Sequence, residues 1–482
     1  MSTPGWLSVM AKERARPARL RDWKHAGWLA VGSVCIGAFM GQLDASIVTL
    51  AYHPLRGEFH ASLAEVQWVS LAYLLALTAL LIPIGRFADA RGRKLTYLYG
   101  FVVFTAASAA CGLAPSLGWL VAFRALQAVG AAMLQANSVA LVTLSAPSGQ
   151  MRAALGVQAA AQALGLALGP TVGGLLVSTL GWRWVFGINI PVGVLAVVAG
   201  IYLLPRTHHR ATPTGRDLSG TVLLAAASTS LLLGISAASG LPLPGWVAIV
   251  LLGGAAVATV GFVVRQRRAA APLVDLALLR ERDIAAGLVG ALGGYLVLFG
   301  PLVLVPVVFG DAGLSQLRAG LVLTALPAGF ALAATVADAL LPRLWTERTR
   351  ATAGAALGML ALAVLFAVLF SDPPASGWLA APLAVLGVAL GLFTPANNAL
   401  IMAAVPGRTA ATGGGLVSMA RSLGTALGVA VVTLSLNLGA EWHRPVDGPG
   451  LAALVLAAAA AVIVCAAAAQ RGQSAGRAGA PH

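Results

Sequence analysis

Three charged residues, Asp44, Arg124 and Arg421, lie within long apolar segments of the sequence. An ionisable group at the centre of a membrane-spanning helix costs roughly 2.5–3.5 kcal/mol on insertion scales, so each becomes a functional candidate if its segment spans a membrane. A carboxyl group that moves between apolar surroundings, which raise its pKa, and an arginine, which lowers it, would bind and release a proton. We therefore predict that Asp44 carries protons. The structural alternative is a polar contact that holds helices together.

The composition shows that these segments belong to a membrane protein. Of 482 residues, 59% are apolar and 10% are charged, and the mean hydropathy is +0.87. A soluble chain has about 25% charged residues, so a soluble enzyme is excluded. The net charge of +15 would suit nucleic-acid binding in a soluble protein, but here the basic residues lie in short gaps between apolar runs. Such a distribution indicates membrane orientation and predicts no nucleic-acid partner.

Apolar runs of about 20 residues can each cross a bilayer as a helix. The sequence predicts about fourteen such spans: 27–51, 65–84, 95–114, 119–141, 152–177, 184–204, 217–237, 245–264, 284–309, 317–340, 351–370, 378–402, 411–437 and 450–469. Asp44 lies about two-thirds along the first. The seventh and eighth are predicted to form a hairpin with its turn at residues 239–242.

The basic residues predict the orientation of these spans. With both termini in the cytoplasm, 25 of the 31 basic residues fall on the cytoplasmic side and four fall outside. We predict cytoplasmic tails at 1–26 and 470–482, helix bundles at 27–204 and 284–469, and an inserted helix pair with linkers at 205–283. No segment outside the membrane is large enough for a soluble domain, so the function must lie within the membrane.

A charged motif at residues 85–94 joins the second and third spans. Its key members are predicted to be Gly85, Asp89, Gly92, Arg93 and Lys94. Gly85 would allow close helix approach, and Gly92 would allow a tight turn. The acidic and basic residues could form a network of charge-assisted hydrogen bonds that latches two bundles together. The alternative is an ordinary basic loop.

Several motifs together resemble those of the major facilitator superfamily, in particular its fourteen-span drug:proton antiporters. Residues 85–94 resemble the superfamily's G-x-x-x-D-x-x-G-R-K loop, residues 120–132 its L-x-x-x-R-x-x-Q-G-x-G-A-A motif, and residues 165–174 its antiporter motif G-x-x-x-G-P-x-x-G-G. Residues 43–48 and 182–191 resemble the subfamily's L-D-x-T-I-V and W-R-W-I-F-x-I-N-x-P. Ala90 and Ala128 depart from these patterns, and the equivalent loop of the second half, around Asp338, is degenerate.

The resemblance implies an all-α fold of two six-helix bundles, with two inserted central helices here. It also implies that Arg124 modulates an acid during proton transfer, and our hypothesis for that acid is Asp44; alternatively, Arg124 extends toward lipid headgroups. Small residues allow close helix packing in lipid, and the resemblance adds that the third motif marks exporters. Its residues are Gly165, Gly169, Pro170, Gly173 and Gly174.

A substrate cavity is expected near the bilayer midplane, between the two halves. Its candidate residues are amides, aromatic residues and one arginine: Gln42, Trp68, Tyr73, Gln127, Asn137, Gln158, Gln162, Tyr295, Phe299, Phe393, Asn397, Asn398 and Arg421. Taken alone, such a residue is more often ordinary packing than a ligand contact, and Arg421 could instead tether its own span. An apolar cavity with few amides suits a lipophilic compound better than a sugar. Because Asp44 is the only deep carboxylate, we predict neutral, zwitterionic or singly charged amphiphiles.

The sequence thus predicts a transporter in the cell membrane that exports lipophilic small molecules in exchange for protons. It would act by alternating access, as a monomer, with no cofactor, no metal and no enzymatic activity. The alternatives are a dedicated exporter of one metabolite or lipid, and an uptake transporter. A membrane enzyme or receptor is disfavoured because the seven histidines lie mostly in tails and loops and show no H-x-x-x-H spacing.

Overall fold

Long helices make up nearly all of the structure, a computed structural model. It describes residues 16–17, 23, 25–147, 150–206, 217–238, 243–269, 272, 276–311, 315–340, 345–369, 378–405, 410–441 and 447–470. Most of the two predicted tails and the predicted turn at 239–242 lie outside these ranges.

Fourteen helices in the described ranges are long and apolar enough to cross a membrane, which confirms the predicted all-α architecture and span number. They are α1 (Ala26–Ile47), α2 (Trp68–Arg91), α3 (Arg93–Gly112), α4 (Leu117–Ser145), α5 (Met151–Thr179), α6 (Asn189–Leu203), α7 (Leu218–Ala238), α8 (Gly245–Arg268), α9 (Arg282–Asp311), α10 (Gln316–Leu340), α11 (Glu347–Leu369), α12 (Ala380–Ala404), α13 (Ala410–Glu441) and α14 (Asp447–Ala469).

The first span is longer than predicted. After α1 the chain continues through a 3-10 turn (Val48–Ala51) into a helix at Tyr52–Phe59, and His60 ends it with a left-handed φ of 50°. Pro54 does not break this helix because it lies in the first turn, where its missing N–H costs nothing. Asp44 therefore lies near the middle of the span instead of two-thirds along it.

The helices form two sets with matching contacts. In the first set α1 packs on α5, α2 on α4 and α3 on α6; in the second, α9 packs on α13, α10 on α12 and α11 on α14. The contacts between the sets also match, because α5 packs on α10 and α2 on α13. This pattern is that of two structural repeats facing each other across a central interface.

The sets touch at the end of the bundle where α1 leads into α2. The Tyr52–Phe59 helix contacts α9, and the short helix Leu63–Val66 contacts α13. The contact between α5 and α10 includes a hydrogen bond between Thr171 and Thr324. A methyl group on Gly320 of α10 would overlap the carbonyl oxygen of Pro170.

The extra pair, α7 and α8, packs as two adjacent helices, and α7 contacts both α2 and α13. The side chains of Gln67 and Ser236, both fully buried, are joined by a 3.0 Å hydrogen bond at the start of α2. At the other end of α7, Asp217 accepts hydrogen bonds from the Gly220 N–H, from Arg265 Nε and from Gln266 Nε2. Asp217 thus joins the two helices of the pair.

The Asp217 contacts predict a pH-dependent contribution to stability. Burial opposes ionisation of Asp217, but the bonds from Gly220, Arg265 and Gln266 outweigh it and lower its pKa. Because the folded pKa lies below the unfolded value of about 3.9, the contribution is complete above the unfolded pKa and is lost as the pH falls through the folded pKa. Thermal unfolding should show wild type above Asp217→Asn at pH 7, with the difference shrinking below about pH 4. A difference independent of pH would contradict this assignment.

Candidate functional site

Asp44 lies at the centre of a buried polar cluster. Its carboxylate is fully buried, and Oδ2 accepts a hydrogen bond of 2.6 Å from Arg124 Nη1 in an ion pair. Oδ1 accepts 3.0 Å bonds from Gln127 Nε2 and Asn189 Nδ2. These donors come from α4 and from the first residue of α6, so the charge on α1 is held by two other helices. Three hydrogen bonds, one of them within the ion pair, therefore hold the carboxylate in place.

Arg124, like Asp44, makes several hydrogen bonds within the cluster. Its Nε donates to the Val69 carbonyl oxygen at 2.8 Å, and its Nη1 also donates to Gln127 Oε1 at 2.6 Å. The guanidinium carbon lies 4.2 Å from the ring centroid of Tyr73, a cation–π distance. With 1% of its side chain exposed, Arg124 does not extend toward lipid headgroups. The cluster therefore unites α1, α2, α4 and α6, and the Gln127–Ser108 bond of 2.7 Å adds α3.

A cavity lies between the two helix sets, next to this cluster. It is a partly open space of about 720 Å³ whose walls come from α1, α2, α4, α5, α9 and α13. Six of the predicted residues line it: Gln42, Tyr73, Gln162, Tyr295, Phe299 and Arg421. Tyr73 belongs to both sites, because it lines the cavity and also contacts Arg124.

The small residues of α5 pack on two partners. Methyl groups added at Gly165, Gly169 and Gly173 would meet α1 at Phe39, Ser46 and Ile47, respectively. This spacing of four residues places all three glycines on one helix face. Pro170 and Gly174 instead contact Gly320 of α10. Helix α5 therefore lies between the helix that carries Asp44 and the opposite helix set.

Seven predicted cavity residues do not line this cavity. Gln127 belongs to the Asp44 cluster. Asn137 donates to the Met133 carbonyl oxygen of its own helix at 2.8 Å, and Gln158 bonds to Ser138. Asn397 donates to the Gly287 carbonyl oxygen at 2.9 Å.

The other three residues outside this cavity are Phe393, Trp68 and Asn398. Phe393 is fully buried and packs against Gly290 and Gly294 of α9. Trp68 Nε1 and Asn398 Oδ1 are buried, with no hydrogen-bond partner among the described residues, and neither side chain lines the cavity. These seven residues were predicted from their side-chain types within the spans, which do not tell which face of a helix turns toward the other set.

The charged motif is helical where a loop was expected. Helix α2 runs through the motif to Arg91, Gly92 turns the chain with a φ of 121°, and α3 begins at Arg93. Gly85 has room for a side chain, since the nearest atom to an added methyl group is Ala136 Cβ at 3.8 Å, so it is not required for close approach. The side chains of Asp89 and Asp338 lie outside the described part of the chain. The latch hypothesis therefore stays a prediction.

Lys94 has a clear structural place in this motif. Its side chain is fully buried, and Nζ donates to the carbonyl oxygens of Ile201 at 3.0 Å and Leu204 at 2.7 Å. Arg16 Nε donates to the Leu203 carbonyl oxygen at 2.9 Å. Carbonyl groups at a helix C-terminus have no partner within the helix, so the two cations satisfy the end of α6.

Comparison with known proteins agrees with this geometry. The sequence model of the Major Facilitator Superfamily matches residues 34–429. This chain belongs to the major facilitator superfamily. It is 32% identical to the tetracenomycin C resistance and export protein of Streptomyces glaucescens over 443 residues, which are 89% of this chain and 81% of that protein. It is 30% identical to the riboflavin transporter RibZ of Clostridioides difficile, over 84% of this chain and 87% of that protein.

A solved structure has a similar fold. A peptide transporter, crystallised in complex with sulfate, aligns with a TM-score of 0.68 at 15% identity, over 97% of this chain and 98% of that one. At this identity the likeness concerns the fold alone.

Sequence reasoning missed Asn189 and Ser108 of the Asp44 cluster in this superfamily chain. Asn189 is 1% exposed and donates directly to the carboxylate. The available signal was its place in the W-R-W-I-F-x-I-N-x-P resemblance, where an amide stands in an apolar helix. The cavity residues Gln135, Ser138, Ser422 and Thr425 were also missed.

The contacts of Lys94 predict the effect of removing its charge. Lys94→Met should lower the free energy of unfolding by about 1.5–3 kcal/mol, because the carbonyl groups at the end of α6 lose a charged donor. Arg91→Met is the matched control: Arg91 is exposed and packs on Phe87, so its loss should cost less than about 0.5 kcal/mol. Thermal unfolding of both variants in detergent measures the difference. Equal midpoints would show that the Lys94 bonds add no stability.

Proposed function

We propose that this protein exports lipophilic or amphiphilic small molecules across the cell membrane in exchange for protons. The observation that carries the proposal is the fully buried Asp44–Arg124 ion pair beside a cavity between the two repeats. Both termini would lie in the cytoplasm, and the protein would work as a monomer without a cofactor. The end at which the helix sets touch would then be the external one, so the cavity would be closed to the outside.

Protonation of Asp44 gives the proton a way to change the structure. A neutral Asp44 leaves Arg124 as a buried charge with no counterion, and an uncompensated buried charge destabilises a protein strongly. When Asp44 is protonated, a conformation in which Arg124 contacts another acceptor or water is favoured. A proton thereby shifts the population between two conformations, which is the requirement for coupled transport.

The packing of α5 offers a route from Asp44 to the interface. Gly165 and Gly169 contact α1 on either side of Asp44, while Pro170 and Gly174 contact α10 of the other set. These contacts leave little space for α1 to move without α5, and interiors packed in this way transmit displacements. A movement of α1 after protonation would therefore displace α5 at its contact with α10, where the two sets meet.

The cavity supports a lipophilic substrate. Its walls combine apolar side chains with a few amide and hydroxyl groups. That pattern is typical of sites for drug-sized ligands, in which a few polar groups fix the orientation. Several similar proteins are named for antibiotic or multidrug resistance, which supports drug efflux here as well.

The similarity to a riboflavin transporter favours a second candidate, a carrier dedicated to one metabolite. Everted membrane vesicles that contain the protein distinguish the two. We expect accumulation of several unrelated lipophilic compounds, lost when the proton gradient is collapsed. Accumulation of a single compound would favour the dedicated carrier, and accumulation that ignores the gradient would refute proton coupling.

A further inference from the structure

Arg421 is a charged residue of the cavity that the proton-coupling cluster does not use. It lies on α13, is partly exposed and lines the cavity. Its guanidinium carbon lies 4.5 Å from the ring centroid of Tyr295 on α9. Among the described residues, no side chain or carbonyl group accepts a hydrogen bond from this guanidinium and no carboxylate pairs with it.

The contrast with Arg124 shows what Arg421 lacks. Both arginines lie within membrane-spanning helices, but Arg124 has a carboxylate, an amide oxygen and a carbonyl oxygen as acceptors. Arginine is always charged, and its planar group of five N–H donors matches a carboxylate or similar anion. A charge at membrane depth is costly, so its donors need an acceptor.

A tethering role for Arg421 does not account for its position. Helix α13 is held against α9 by Gly424 and Gly428, where an added methyl group would meet the carbonyl oxygens of Leu292 and Leu296. These backbone contacts fix the two helices without a side-chain charge. The guanidinium is left to face the cavity.

The charge of Arg421 determines the electrostatic preference of the cavity, because the rest of the described wall is uncharged. Among the described residues that line it, Arg421 is the only one with a charge; the others are apolar residues, glutamines, serines, a threonine and tyrosines. A lone positive charge attracts anions and repels cations, and both effects give specificity. Beside it, the rings of Tyr295 and Phe299 lie nearly parallel, 6.4 Å apart and tilted by 19°.

We propose that the cavity selects aromatic amphiphiles with a single negative charge, and that Arg421 binds their anionic group. The aromatic part of the substrate packs against Tyr295 and Phe299. This proposal rests on the export function proposed above and narrows its substrate class. Exchange of such an anion for protons moves one more charge across the membrane than exchange of a neutral compound, so a potential negative on the cytoplasmic side assists export.

A matched pair of probes tests the proposal. The anion 8-anilinonaphthalene-1-sulfonate and the neutral N-phenyl-1-naphthylamine share the same aromatic skeleton, and ethidium serves as a cationic aromatic probe. Gradient-driven accumulation of each is measured in proteoliposomes with an acidic interior, for wild type, Arg421→Gln and Arg421→Lys. We expect Arg421→Gln to slow accumulation of the anion at least about tenfold and that of the neutral probe less than about twofold. Arg421→Lys should restore part of the anion transport.

Three results would overturn the proposal: an equal loss for both probes in Arg421→Gln, no rescue by Arg421→Lys, or wild-type transport of ethidium that matches that of the anion. The comparison of ethidium with the anion uses wild type alone, so it tests the proposal even if the variants do not fold. Absence of gradient-driven transport of every probe would refute the export function instead. Calorimetric titration of wild type and Arg421→Gln with the anion then tests Arg421 binding separately.

Discussion

Asp44→Asn is expected to abolish proton-driven export while the protein still folds. Asparagine keeps the size of the side chain and one acceptor oxygen, but it cannot exchange a proton. Arg124 then loses its counterion, which costs up to about 3–5 kcal/mol for a buried pair. Its bonds to Val69 and Gln127 remain and limit that cost. Accumulation of substrate in proteoliposomes under a proton gradient should fall to the level of protein-free liposomes.

A double variant separates lost charge balance from lost proton transfer. Asp44→Asn with Arg124→Gln removes both charges, so it should unfold at a higher temperature than Asp44→Asn alone. It should remain unable to couple transport to protons, because no carboxyl group is left in the cluster. Restored gradient-driven accumulation in the double variant would exclude Asp44 as the proton carrier, whereas restored stability alone fits the proposal.

Gly169→Leu should prevent both stable folding and transport. A methyl group at this position of α5 would already overlap Ser46 of α1, with Ser46 Cβ at 2.8 Å and the Ile47 backbone nitrogen at 3.2 Å. Overpacking typically costs about 1–3 kcal/mol, and more where backbone must move, as it must here. The displaced segment of α1 also carries Asp44. We expect little monodisperse protein in size-exclusion chromatography, and no gradient-driven transport from what remains.

The chain contains its own control for this substitution. Gly32 lies on α1 with no atom within 4 Å of an added methyl group, and it is exposed. Gly32→Leu should therefore leave the yield, unfolding temperature and transport close to those of wild type. Gly169→Leu protein that matches this control in all three measurements would contradict the close packing of α5 on α1.

The fold could be predicted from sequence because lipid imposes a simple rule on it. Each span must be apolar over about 20 residues, and the basic residues between spans indicate their orientation. The ends of helices were less predictable. The apolar run of the first span ends near residue 51, but Pro54 is tolerated in a first turn and the helix continues to Phe59. The motif at 85–94 was interpreted as a loop because of its charges, yet only Gly92 leaves the helical conformation.

The residues of the candidate sites were predictable to different degrees. Asp44 and Arg124 were identified because a charge at membrane depth is rare and costly. An amide in an apolar segment does not carry the cost of a charge, so its presence there is a weaker sign of function. The sequence therefore did not show which amides face the cavity. Gln127 and Gln162 have the same side chain, but Gln127 bonds to Asp44 and Gln162 lines the cavity. That difference depends on helix rotation, which is set by packing between helices distant in sequence.

Movement of protons in response to substrate tests the proposed exchange most directly. Wild-type protein is reconstituted in liposomes that trap a pH-sensitive dye, with no initial proton gradient, and a substrate identified in the vesicle assay is added outside. Entry of substrate should drive protons out and make the interior alkaline, and Asp44→Asn liposomes should show no change. Acidification of the interior would indicate that substrate and proton move together. Substrate entry into wild-type liposomes without any pH change would contradict the exchange. Alkalinisation in Asp44→Asn liposomes equal to that of wild type would contradict the role of Asp44.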